Sequence, residues 1–206
     1  MLAVARKMPE PPRRASYQDV LDAPENMVAQ IVDGELHLHA RPVDHHAVAS
    51  VELIYEIKLR IRRDVDAGGY GDGPGEWRIL SEPELRLGED VLVPDIAGWR
   101  LSKYPRNRAN SFSEVVPNWV CEVLSPTTRK LDLGRKSEIY AREGVAHLWI
   151  VDPKARTLQA SELPAGKWVS ISSLTDAETV SVPPFEKLKI PLSRLWLDRP
   201  EWQYSG

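Results

Sequence analysis

The chain has 206 residues, 42% of them hydrophobic and 28% charged, with a formal net charge of −3. That length holds one domain or at most two small ones, and the composition excludes a wholly disordered chain. A single cysteine, Cys121, excludes an internal disulfide framework and any multi-cysteine zinc site, and no apolar run approaches the ~20 residues of a membrane helix.

In chain order, residues 1–15 are rich in Pro and Arg and read as a flexible lead-in. They hold no apolar stretch before a small-residue cleavage site, so no secretory signal is read and a cytoplasmic protein is expected. Tyr17–Leu21 reads as a short helix with Ser16 at its N-cap. Residues 27–39 read as a hairpin turning on Asp33-Gly34, a pair suited to positive φ. Residues 44–63 read as a helix. Val48, Val51, Ile54, Tyr55, Leu59 and Ile61 recur near the helical period, and Asp44 is placed to cap it. The glycine cluster at 68–75 ends that helix as a loop. It lacks the Gly-Lys-Ser/Thr ending of a phosphate loop.

Strands are expected at Trp77–Leu80, Glu84–Leu87 and Leu92–Trp99, then a polar, mobile loop over 102–115 and a strand at Trp119–Leu124. Residues 130–143 read as a helix ended by Gly144, and residues 146–152 as a buried strand stopped by Pro153. Leu158–Leu163 and Lys167–Ile171 form a second hairpin around Ala165-Gly166, and a short helical turn falls near Leu192–Leu197. The order suggests a mixed α/β sheet with helices packed on it, in one domain over 16–198 with a tail at 199–206.

Two acids stand out: Asp95 in Leu-Val-Pro-Asp-Ile-Ala-Gly and Glu122 in Trp-Val-Cys-Glu-Val-Leu. Each sits in an otherwise apolar strand. Either it faces solvent from a one-sided sheet, or it is buried and needs a partner. If the strands are neighbours, the acids converge. Two carboxylates, the carbonyl of Val123 and waters would then suit Mg²⁺, which takes few protein ligands. Glu35, at the start of a hairpin strand, and Glu84 are weaker candidates. Asp132, Lys136 and Tyr140 fall at i, i+4 and i+8, on one helix face. Facing outward, the first two make a surface ion pair; facing the sheet, Lys136 reaches the carboxylates. Ser125-Pro126-Thr127-Thr128 either donates to a phosphate or forms a plain turn and cap. His45 and His46 open the long helix, where capping or packing is the commoner role. His37, His39 and His147 carry no spacing signal. Cys121 reads as a structural thiol.

The net charge hides a basic zone. Residues 100–142 hold nine Lys and Arg against four Asp and Glu. This is either a solvated surface or a footprint for a polyanion.

Taken in order, Asp33-Gly34-Glu35-Leu36, His46, Val93-Pro94-Asp95, the run from Cys121 to Thr128, Asp132-x-x-x-Lys136-x-x-x-Tyr140 with Ala141-Arg142-Glu143-Gly144-Val145, and Leu148-Trp149-Ile150-Val151-Asp152-Pro153 resemble the Uma-two family. That family comprises bacterial restriction endonuclease-like proteins of the PD-(D/E)XK nuclease superfamily. The resemblance covers about residues 17–195. It implies a restriction endonuclease-like mixed β-sheet flanked by helices, an αβββαβ core, here with added β-hairpins. It implies that Asp95 and Glu122 hold Mg²⁺, with Mn²⁺ as a substitute, and that the metal polarises a scissile phosphate of DNA and helps generate hydroxide. Leu124 occupies the position of the superfamily lysine, so Lys136 stands in from the following helix. Gln30 occupies a hairpin position where the family usually has glutamate, with Glu35 as a substitute. His46 matches the family histidine better than His45. Accessory candidates are therefore Gln30, Glu35, His46, Ser125, Asp132 and Tyr140. A homodimer is expected by analogy, because many superfamily nucleases cut both strands. The competing expectations are a catalytically silent nucleic-acid-binding or regulatory protein on the same fold, and a metal-dependent phosphohydrolase acting on small substrates.

Overall fold

The computed structural model describes residues 13–40, 44–66, 77–104, 111–176 and 178–197. The glycine cluster at 68–75, Arg106 and Arg108 of the basic zone, most of the lead-in and the tail lie outside these residues. No helix among the described residues is long and apolar enough to cross a membrane.

Helix α1 (Tyr17–Leu21) starts at Ser16, whose N–H donates to the Asp19 carboxylate at 2.7 Å. Strands β1 (Met27–Val32) and β2 (Glu35–Ala40) form the expected hairpin. Asp33 and Gly34 sit at φ 54° and 83°, the left-handed pair that lets a two-residue turn follow strand twist. Helix α2 runs His45–Asp66, longer than expected, and the Asp44 carbonyl accepts the Val48 N–H at 2.8 Å. Its buried stripe is Ala49, Leu53 and Ile57, four residues apart, whereas Val51 and Tyr55 are exposed. The apolar recurrence was wide enough to admit both faces. Packing selects the one that meets the tryptophans.

Strands β3 (Trp77–Ser81), β4 (Glu84–Leu87), β5 (Asp90–Leu92) and β6 (Ile96–Arg100) follow. The single strand expected over 92–99 is thus two. Pro94 has no N–H for a ladder, and the chain changes sheets there. Strand β5 pairs with β1 and β4; β6 pairs with β3 and with β8 (Trp119–Val123). Within the loop expected at 102–115, Phe112–Ser113 forms a short β7 parallel to β4; residues 105–110 are not described.

The expected helix over 130–143 forms in three pieces: α3 (Arg129–Leu131), one π-helical turn (Asp132–Lys136) and α4 (Ser137–Arg142). Gly144 at φ 81° ends it. Then come β9 (His147–Asp152), β10 (Thr157–Glu162), β11 (Val169–Thr175), a short pair β12 (Thr179–Val180) and β13 (Ile190–Pro191), and a 3₁₀ turn at Leu192–Leu195. The result is mixed α/β. A six-stranded sheet runs β11-β10-β9-β8-β6-β3, and a five-stranded sheet runs β2-β1-β5-β4-β7. Only β8–β9 is parallel in the larger sheet, bridged by the broken helix.

Both faces of the larger sheet are covered. On one, Trp77, Trp119, Trp149 and Phe185 pack with ring centroids 4.9–5.6 Å apart, against Leu53 and Ile57 of α2 and the C-terminal segment. Gly98 permits this closeness: a Cβ there would meet Ile79 and Trp119 at 3.0 Å. On the other face, Trp99, Val120 and Leu148 meet Leu85, Leu92, Ile139 and Tyr140. A strand covered on both sides leaves an acid within it almost no exposure, and Glu122 is 1% exposed. This settles how Glu122 sits.

Candidate functional site

Side chains alternate along β8: Trp119, Cys121 and Val123 enter one core cluster and Val120 the other, so Glu122 falls on the Val120 face, where α4 lies. The same alternation along β6 puts Ala97 and Trp99 on that face. Asp95, just before β6, shares their parity. The β6–β8 register pairs Ile96 with Cys121 and Ala97 with Val120. Carried one step further, it sets Asp95 opposite Glu122. Two like charges directly opposed are unfavourable unless something positive joins them.

Lys136 supplies part of that charge. Its Nζ lies 2.9 Å from Glu122 Oε1, 3.1 Å from Asp132 Oδ1 and 3.3 Å from the Val93 carbonyl. The Tyr140 hydroxyl donates to Glu122 Oε1 at 2.6 Å. So Asp132, Lys136 and Tyr140 share one face, and it is the inward one. Asp95 Oδ2 accepts the Val123 N–H at 2.7 Å, and Oδ1 lies 2.9 Å from His46 Nε2. That nitrogen carries the proton, because a carboxylate only accepts. Glu122 Oε2 receives only a long bond, 3.4 Å, from the Asp95 N–H. His46, Val93, Asp95, Glu122, Asp132 and Lys136 line one narrow cleft with Ser125, Thr128 and His39, with room for about one water, about 10 Å³.

Gln30 does not line that cleft. Its Oε1 accepts the Val93 N–H at 2.8 Å and its Nε2 lies 3.0 Å from His39 Nε2. It therefore steadies the segment whose carbonyl holds Lys136. Glu35 lies elsewhere, with an exposed side chain 4.0 Å from His37. Ser125 fills both of its expected roles. It lines the cleft, and its hydroxyl accepts the Thr128 N–H at 3.2 Å at the head of α3. Cys121 is fully buried, and burial pushes its thiol well up, so it is inert. His39 carried no local signal in the sequence and reaches the cleft by strand pairing, whereas Thr128 belongs to the Ser125–Thr128 run read as a phosphate donor or a turn.

The charges do not balance. Three carboxylates, Asp95, Glu122 and Asp132, share the cleft with one ammonium, Lys136. Burial, offset by Lys136 and reinforced by Asp132 and Asp95, pushes the Glu122 carboxyl up to about 8. Lys136 feels burial in the opposite sense, but Glu122, Asp132 and Asp95 outweigh it and hold the ammonium charged. Tyr140 is driven well up by burial and by Glu122, and stays a neutral donor.

Such a site favours a divalent cation. Among the described residues no three or more His, Cys, Asp and Glu side chains form a ready cage. Mg²⁺ asks for less: one or two carboxylates and several waters. The donors are hard oxygens, carboxylates outnumber the one ammonium, and Asp132 Oδ2 is buried with no hydrogen-bond partner. The residues fit the ion.

The basic zone is partly consumed within the fold. Arg129 pairs with Asp152 at 2.5 Å, Arg142 with Asp90 at 2.6 Å, and Arg135 with Asp33 and Glu138 at 2.6 Å. Lys103 and Lys130 are exposed.

Among solved structures, the fold matches a crystal structure described as a "putative nuclease belonging to DUF820" from Anabaena variabilis ATCC 29413. The TM-score is 0.70 at 20% identity, covering 89% of this chain and 99% of that one. At that identity the likeness establishes the fold. No curated protein matches the chain. A family model described as "Putative restriction endonuclease" matches residues 15–193, most of the chain and all of the cleft just described. The chain belongs to the Uma2 family, the one its motifs resemble.

Proposed function

We propose that the protein is a divalent-metal-dependent endonuclease that hydrolyses phosphodiester bonds of DNA. Family and fold support a nuclease, and restriction endonuclease-like families generally use a divalent metal. The observation that carries the reading is Asp95 opposite Glu122, with Lys136 2.9 Å from the latter, in a buried cluster short of positive charge.

Asp95 and Glu122 hold Mg²⁺, with the Val123 carbonyl as a third oxygen donor and Mn²⁺ as a substitute. When bound, the ion polarises the scissile phosphate and offsets the charge that builds there. His46 fixes one oxygen of Asp95 and the Val123 N–H the other. Tyr140 and Lys136 fix Oε1 of Glu122 and leave Oε2 nearly free. Lys136 keeps positive charge within the cluster, where the phosphate would add more negative charge. Lys103 and Lys130, both exposed, track the DNA backbone, so binding weakens with salt. The protein works as one domain over 16–198 in the cytoplasm, a compartment consistent with its single buried thiol. It works as a homodimer that brings two clefts to one duplex.

The test is plasmid nicking. The full chain is expected to convert supercoiled DNA to open circles with Mg²⁺ or Mn²⁺ and to stop when the metal is chelated. No cleavage with either ion overturns the reading. DNA binding without cleavage would instead support the silent nucleic-acid-binding protein, a reading favoured by Gln30 being locked onto Val93 and His39.

A further inference from the structure

An ammonium has three N–H bonds to give. For Lys136 each has an acceptor inside the protein: Glu122 Oε1 at 2.9 Å, Asp132 Oδ1 at 3.1 Å and the Val93 carbonyl at 3.3 Å. With its side chain almost wholly buried, it has no donor left for a phosphate or a water. The acids are engaged to different degrees. Both oxygens of Asp95 are taken, by the Val123 N–H and by His46. Glu122 Oε1 is taken twice, and Oε2 faces the Asp95 N–H at 3.4 Å. Asp132 differs. Its Oδ1 meets Lys136, while Oδ2 is the buried carboxylate oxygen, among the described residues, with no partner at all.

Leaving a buried acceptor unpaired costs about 1–3 kcal/mol, and native proteins leave few of them. This one lines the cleft, at the first position of the π-helical turn. Such single turns recur at functional sites.

We propose that Asp132 is the base that takes the proton from the attacking water, through Oδ2, and that Lys136 is a positioning residue that holds Asp132 and Glu122. This rests on the nuclease reading. The water oxygen bonds to phosphorus while one of its O–H bonds breaks towards Asp132 Oδ2. One P–O ester bond breaks, the departing oxygen takes a proton from solvent, and Asp132 later returns its own to solvent. The step consumes one water and needs no further reactant. Lys136 fixes the Asp132 rotamer through Oδ1, which leaves Oδ2 as the acceptor.

The experiment uses the full chain with Mn²⁺ and compares wild type with Asp132→Asn and Asp132→Ala. Melting curves check folding, calorimetry gives Mn²⁺ affinity, and single-turnover nicking with enzyme in saturating excess over plasmid gives the rate. Asp132→Asn is expected to bind Mn²⁺ within about threefold of wild type while its rate falls by about a hundredfold or more, the scale of a lost general base. Added formate, a free carboxylate, is expected to raise the rate of Asp132→Ala by about tenfold. A rate for Asp132→Asn close to wild type overturns the proposal. So does a tenfold loss of Mn²⁺ affinity, which makes Asp132 a ligand instead. If Asp132→Asn does not fold, the formate response of Asp132→Ala decides, and its absence overturns the proposal. Wild type that nicks under no metal overturns the nuclease reading, and this inference with it.

Discussion

Asp95→Ala is expected to reduce metal-dependent cleavage by about a thousandfold, which corresponds to ~4 kcal/mol of transition-state stabilisation. The side chain is half of the carboxylate pair that the β6–β8 register brings together, and a single buried acid cannot replace it as a hard oxygen site. Mn²⁺ affinity falls with it. Stability should change little. The substitution unpairs the Val123 N–H and His46 Nε2, at a cost of about 1–3 kcal/mol each, offset by removing the carboxylate opposed to Glu122. Nicking, calorimetry and a melting curve on the same preparation check all three expectations. Lost activity together with a collapsed fold would show that the residue is structural instead.

Lys136→Met is expected to damage the fold as well as the chemistry. Removing the ammonium leaves Glu122 and Asp132 buried with no cation, and breaking such a cluster costs about 3–5 kcal/mol. Methionine fills much of the lysine volume, so the loss is electrostatic rather than a cavity. Its pH dependence has a definite sign. The Glu122 carboxyl is already raised in the fold, so the protonated form belongs to the native state. An acid of this kind contributes stability below its unfolded value near 4.5, and loses it as pH rises through about 8. Without Lys136 that loss deepens. Denaturant melts at pH 6 and pH 8.5 should therefore show a larger deficit at the higher pH. Equal deficits would mean that Lys136 contributes packing and little charge.

Much of this arrangement was legible from the chain. Asp95 and Glu122 were conspicuous as acids in apolar strands, and a strand that reads Trp-Val-Cys-Glu-Val-Leu is short of polar alternation because both its faces are covered. Asp132, Lys136 and Tyr140 were placed on one face by helical spacing alone. What spacing could not give was the direction of that face, which depends on the sheet beneath it. The π turn that starts at Asp132 was invisible, since no residue type announces it. The strand expected over 92–99 ran through Pro94, and the break there carries the chain from one sheet to the other and leaves Asp95 at the mouth of β6. Gln30, His39 and Glu35 show the limit most clearly. All belong to one hairpin, yet pairing aims Gln30 at Val93, brings His39 to the cleft and leaves Glu35 exposed. For Gln30 the deciding partner is Val93, 63 positions away in the segment after β5.

Crystals of the full chain soaked in Mn²⁺ and measured at the manganese edge test the account at its root. It predicts an anomalous peak in the cleft, within direct coordination distance of an oxygen of Asp95 and an oxygen of Glu122, with Lys136 still on the far oxygen of Glu122. A cleft without a peak, or manganese bound elsewhere with both acids unmoved, would contradict it.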